Sequence, residues 1–74
     1  MSHDTIVNTF RRRLRLERSF AGMTQAELGA KLKVHHSQIS QWERGTRLPG
    51  LRSLCRLAKA LGTSTDYLLG LSDK

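Results

Sequence analysis

Cysteine occurs once, at Cys55, so no disulfide can form within one copy and nothing points to an oxidising compartment. Proline also occurs once, at Pro49, and the aromatic residues are one Trp, one Tyr and two Phe. With chain breakers this scarce and Leu and Ala plentiful, the expected fold class is all-α. No apolar run approaches the ~20 residues of a membrane span, and the polar start lacks the apolar segment of a signal peptide. A cytoplasmic protein that avoids membranes is expected. Acidic residues are few as well: 6 Asp and Glu face 13 Lys and Arg, a formal net charge of +7 on 74 residues. On so small a surface the imbalance points to a polyanion, nucleic acid first and anionic lipid second.

Catalytic and metal chemistry find no foothold. No serine or cysteine has a base and orienter at motif spacing, and no Gly-rich loop follows a strand, so no enzyme is expected. His35 and His36 diverge by about 100° on a helix, leaving His3 and Cys55 as the other soft ligands. Neither a metal site nor a cofactor is expected from that set.

What is present is a series of amphipathic segments without linker, repeat or low-complexity stretch, consistent with a single domain over residues 1–74 and a core from about 6 to 70. Asp4 or Thr5 can cap a first helix whose core stripe is Val7, Phe10, Leu14 and Ala21, with Gly22 as its stop. Thr24 opens a second helix, and Glu27 three residues later completes a capping box; Leu28 and Leu32 face inward. Lys33 and Val34 form a turn, and a third helix at about 36–43 buries Ile39 and Trp42 before Gly45 ends it. After the Pro49 loop, a fourth helix points Leu51, Leu54, Leu57, Ala58 and Leu61 to the core, with Arg52, Arg56 and Lys59 in water and Gly62 at its end. Cys55 reads as a small apolar residue of that helix. Thr63 or Ser64 caps a last helix that packs Tyr67, Leu68 and Leu69, and the tail from Ser72 to Lys74 is expected to fray. The arginines at 11, 12, 13 and 15 spread around the first helix, while Leu16 and Phe20 either form a contact patch or close over the fifth helix.

The third helix is the unusual one. Its outer face carries His36, Ser37, Ser40 and Gln41 beside a basic surround. Hydrogen-bonding side chains on a rigid helix near positive charge suit the reading of base edges in a DNA groove. The ordered set T-Q-x-x-L, V, I-S-x-W-E-x-G, L-P, L-A-K-A-L-G and D-Y-L-L-G, together with the motif over residues 24–45, resembles the helix-turn-helix family of phage Cro and C1 repressors, also called the Xre family. The resemblance covers about residues 6–70.

It implies a compact five-helix, lambda-repressor-like DNA-binding domain with the helix-turn-helix at helices 2 and 3. By position it implies that His36, Ser37 and Gln41 read bases, with Ser40 and Gln38 as helpers. The Gln41 amide can pair bidentately with adenine N6 and N7, and His36 can donate or accept according to tautomer. Gln25 resembles the family's phosphate clamp at a helix N-terminus. Arg44, Thr46 and Arg47 stand where they can reach phosphates, and Arg18 aligns with an arginine that pairs with the glutamate here numbered Glu43 and can lend itself to a phosphate. The chain departs from the family pattern at Gly29, usually Ala, at Lys33, usually Gly, at His35, usually a Ser or Thr cap, and at Glu17, often apolar. Gly29 and Lys33 are expected to weaken the fold modestly.

The expected function is a sequence-specific regulator that binds double-stranded DNA as a homodimer on a pseudo-palindromic operator. The chain ends after the fifth helix, so no separate effector domain is expected, and regulation falls to occupancy, cooperativity or a second protein. The alternative is a protein-interaction module, an antitoxin or adaptor with the same fold and a protein partner.

Overall fold

The computed structural model describes residues 3–73 and contains α1 (His3–Phe20), α2 (Gln25–Leu32), α3 (His36–Arg44), α4 (Leu51–Leu61) and α5 (Thr65–Leu69), with no strand among those residues. Local chemistry sets the boundaries. Thr24 caps α2 by accepting from the Glu27 backbone N–H at 3.1 Å, and the Glu27 carboxylate accepts in return from the Thr24 N–H at 2.9 Å. Ser64 caps α5, its hydroxyl accepting from the Tyr67 N–H at 3.0 Å. α3, α4 and α5 each stop at a glycine in the left-handed region, Gly45, Gly62 and Gly70.

Each helix contributes to one buried cluster: Phe10 and Leu14 from α1, Leu28 and Leu32 from α2, Ile39 and Trp42 from α3, Leu57 and Ala58 from α4, and Leu68 from α5. α2 packs on α3 and α4, and α1 packs on α3 and α5. α3 is thereby held from behind by α1 and α2 while its other side faces water.

Several expectations are corrected. α1 already includes His3, so Asp4 and Thr5 lie inside its first turn rather than capping it. Ala21 is exposed because the helix ends at Phe20, before the stripe can continue. Leu51 is 85% exposed and Cys55 is exposed. On a helical projection Leu57, Leu61, Leu54 and Ala58 span one arc of about 100°, and Leu51 and Cys55 fall beyond its edge. Leu16 and Phe20 stay exposed instead of closing over α5. The tail does not fray at Ser72, whose carbonyl accepts from Arg13 at 2.8 Å, while Lys74 lies outside the described residues.

Gly29 is not the weakness its helix position suggests. A Cβ there would sit 2.7 Å from the Val34 carbonyl oxygen, a backbone atom that cannot swing away. The absent side chain lets α2 accept the turn, and the Val34 N–H closes it onto the Gly29 carbonyl at 2.9 Å.

Lys33 is strained as expected. At φ 59 and ψ 41 it is the one non-glycine in the left-handed region among the described residues. That conformation costs a side-chain-bearing residue on the order of 1 kcal/mol. Lys33→Gly is therefore expected to raise the thermal midpoint by roughly 4 °C, part of the gain being offset by the freer unfolded chain. A thermal melt that moved down instead would place the turn elsewhere.

Candidate nucleic-acid interface

At 3.6 residues per turn, His36, Ser40 and Arg44 form one row along α3, and Ser37 and Gln41 form the neighbouring row. The two rows make one face. His36, Ser37 and Arg44 are exposed, and Ser40 and Gln41 are half-buried at the flank. Gln38 is exposed too, but it projects about 100° away from Ser37, on the side of Trp42. Four of the five expected readers thus share the face, and Gln38 borders it beyond Gln41.

The N-terminus of α3 is capped by an unusual residue. His35, at φ −70 and ψ 147, accepts through Nδ1 from the Ser37 N–H at 3.2 Å, and the same nitrogen lies 2.8 Å from Ser37 Oγ. His35 thus fills the cap position in place of the Ser or Thr usual there. The His36 ring lies beside it, with centroids 4.2 Å apart.

Behind α3 stands a charged network. Glu43 is 5% exposed. Arg18 grips it with two prongs, Nε to Oε2 at 2.6 Å and Nη2 to Oε1 at 3.0 Å, while Nη1 donates to the Met23 carbonyl at 2.8 Å. Gln25 Nε2 donates to Glu43 Oε1 at 3.2 Å, so the first residue of α2 is tied to α3. The hydrogen bond to Glu43 holds the Arg18 guanidinium above its ordinary value, against the opposing effect of burial. Arg18 thus orients α3, and only its remaining Nη hydrogens are left for a phosphate.

The far end of the face is built by the α3 stop. The Thr46 and Arg47 N–H groups both donate to the Gln41 carbonyl, at 3.1 and 3.4 Å, and Thr46 Oγ1 reaches the same oxygen at 3.3 Å. Gly45 permits the turn: its φ is +75, and a Cβ there would meet Arg11 Cδ at 3.0 Å and Val7 Cγ1 at 3.2 Å. Arg44, Thr46 and Arg47 are consequently exposed together just past the reading face.

Sequence reasoning missed Arg13. It lies over the Tyr67 ring, 4.3 Å from the centroid, and donates to the carbonyls of Tyr67 and Ser72. Its partners are backbone oxygens more than 50 residues away, which no local pattern discloses. Glu17 is half-buried, with no ion pair among the described residues. Among those residues no group of His, Cys, Asp or Glu converges as a metal-binding set, and the His3 side chain lies outside them.

The α2 cap carries a pH signature. Hydrogen bonds from the Thr24 backbone and side chain hold the Glu27 carboxyl below its ordinary value. A lowered folded value adds stability that is complete above the ordinary carboxylate range and lost as pH falls through the folded value. Carboxyl chemical shifts are expected to place Glu27 below an ordinary glutamate, and Thr24→Ala, which keeps the backbone N–H, to return it only part of the way. A wild-type Glu27 that titrates like an ordinary glutamate would dissolve the assigned capping box.

The chain matches the family described as helix-turn-helix over residues 12–68. It is 41% identical over 59 residues to the HTH-type transcriptional regulator ImmR of Bacillus subtilis, spanning 80% of this chain and 46% of that protein. It is similar to the P22 c2 repressor solved in complex with a synthetic operator, at 42% identity and a TM-score of 0.79 over 81% of this chain and 91% of that one. It also resembles part of hydroxypropylphosphonic acid epoxidase from S. wedmorenis, with 31% identity and a TM-score of 0.79 over 88% of this chain but 35% of that one. Against ImmR and the full C2 repressor of Salmonella phage P22, the chain spans less than half of the relative's length.

Proposed function

The chain belongs to the helix-turn-helix family, of the Cro/C1 or Xre type, and on that premise we propose that it is a sequence-specific transcriptional regulator binding double-stranded DNA in the cytoplasm. Residues 1–74 act as a single DNA-binding unit. α3 enters the major groove, with His36, Ser37 and Gln41 on base edges and Ser40 beside them. Gln38 has its place at the margin of that contact. Gln25, Arg44, Thr46, Arg47 and the outer edge of Arg18 meet phosphates on either side.

The observation that carries the proposal is the pairing of a solvent-facing polar face with a rigid back. Ile39, Trp42 and Glu43 are buried, so the exposed rows keep a fixed position relative to the basic residues. Any surface helix has a polar outer side; what sets this one apart is that the side consists of short hydrogen-bonding residues bordered by Arg44 and Arg47.

The size of one copy is compatible with a homodimer on a pseudo-palindromic site. Half-sites one helical turn apart lie about 34 Å centre to centre, and one copy measures 32 × 24 × 21 Å. Two copies at that spacing come close to touching.

Selection from a random-duplex library, followed by footprinting, tests the proposal. A two-fold related sequence is expected, with affinity falling by about 0.9 log units per phosphate contact for each tenfold rise in salt. A flat salt response and no preference among duplexes would sink it.

A further inference from the structure

We infer that Ser37 reads DNA as a hydrogen-bond acceptor only, selecting a base amino group, because the His35 imidazole holds its hydroxyl hydrogen. This rests on the proposed contact between α3 and base edges.

The argument starts at a backbone group whose role is not negotiable. The Ser37 N–H can only donate, and it donates to His35 Nδ1 at 3.2 Å. Nδ1 therefore bears no proton, and the neutral ring carries its hydrogen on Nε2. The same Nδ1 lies 2.8 Å from Ser37 Oγ. A bare ring nitrogen cannot donate, so the hydroxyl does. Ser37 has one hydroxyl hydrogen, now directed at the ring, and its remaining lone pairs face away from it.

A serine without such a neighbour rotates its hydroxyl to suit the base, donating to guanine or accepting from adenine. Here, donation toward DNA would break the 2.8 Å bond to His35. The polarity of Ser37 is set before DNA arrives. In the major groove, adenine N6 is a donor where guanine O6 is an acceptor, and cytosine N4 is a donor where thymine O4 is an acceptor. Ser37 accordingly favours adenine over guanine, or cytosine over thymine, at the position it touches. His35 is a positioning residue in this scheme. The His36 ring, 4.2 Å away and tilted by 34°, limits its swing.

The test uses the full chain and the duplex it selects. In one series a single adenine N6 or cytosine N4 amino group is deleted; in another a single purine N7 is replaced by C–H. One amino deletion is expected to weaken wild-type binding roughly five- to tenfold, as losing one hydrogen bond should. The same deletion should leave Ser37→Ala no weaker than it already is, and no N7 replacement should behave so. His35→Ala is expected to relax the adenine-over-guanine or cytosine-over-thymine choice at that position. His35→Asn, whose amide oxygen accepts in the same place, should restore it, and circular dichroism reports that both variants are helical. Coupling of Ser37 to a purine N7, or to no base atom at all, overturns the inference while leaving DNA reading by α3 intact. Failure to select any duplex overturns both.

Discussion

Arg18→Ala is expected to cost about 3–5 kcal/mol, a large share of the stability of so small a domain. The variant does not merely delete an ion pair. Glu43 is 5% exposed, and Arg18 supplies the hydrogen bonds to both of its carboxylate oxygens. Without them, Gln25 remains, among the described residues, as the one side-chain donor to a buried negative charge, and the Met23 carbonyl loses its Nη1 partner. The cost of stranding that charge exceeds what the intact pair contributes. Two companion variants separate those quantities. Arg18→Lys keeps the charge but lacks the planar fork, so an intermediate loss is expected. Arg18→Met combined with Glu43→Leu removes both charges and should recover most of the stability, since apolar replacements of buried pairs are often near neutral. Urea unfolding of the four proteins checks this, and an Arg18→Ala loss below about 1 kcal/mol would reduce the pair to an ordinary surface contact.

The pair also explains why α3 can be polar on one side. Ile39, Trp42 and Glu43 share the buried back of the helix, and Arg18 and Gln25 tie that back to α1 and α2. Much of this was legible in residue order. Spacing alone identified Phe10, Leu14, Leu28, Leu32, Ile39, Trp42, Leu57 and Leu68 as inward, and all are buried. Periodicity failed where a helix outruns its neighbours: Ala21 follows the last turn of α1, and Leu51 opens α4 beyond the packed arc. It also cannot see contacts made by backbone. The value of Gly29 depends on a carbonyl five residues on, and Arg13 serves two carbonyls at the far end of the chain. The polarity of Ser37 depends on how one ring nitrogen is shared, which a string of residues does not encode.

The double variant Gln41→Ala with Ser37→Ala is expected to lower affinity for the selected operator by on the order of 30- to 1,000-fold, while affinity for unrelated duplexes stays nearly constant. A bidentate amide–base pair is worth about 1–3 kcal/mol of discrimination, and a further hydroxyl contact about 1 kcal/mol. Neither residue belongs to the buried cluster, so the thermal midpoint should move little. Because no phosphate contact is removed, the salt slope should stay as in the wild type. Arg44→Ala with Arg47→Ala should do the reverse, weakening all duplexes alike and reducing the salt slope by about 2. The contrast matters because both pairs of variants reduce DNA binding, but only the first should erase the choice of sequence. It also separates the regulator from an antitoxin or adaptor of the same fold, whose protein partner would still be bound after Gln41 and Ser37 are truncated. Operator affinity unchanged in the first variant would take base reading away from Gln41 and Ser37 and leave His36 as the reader on α3.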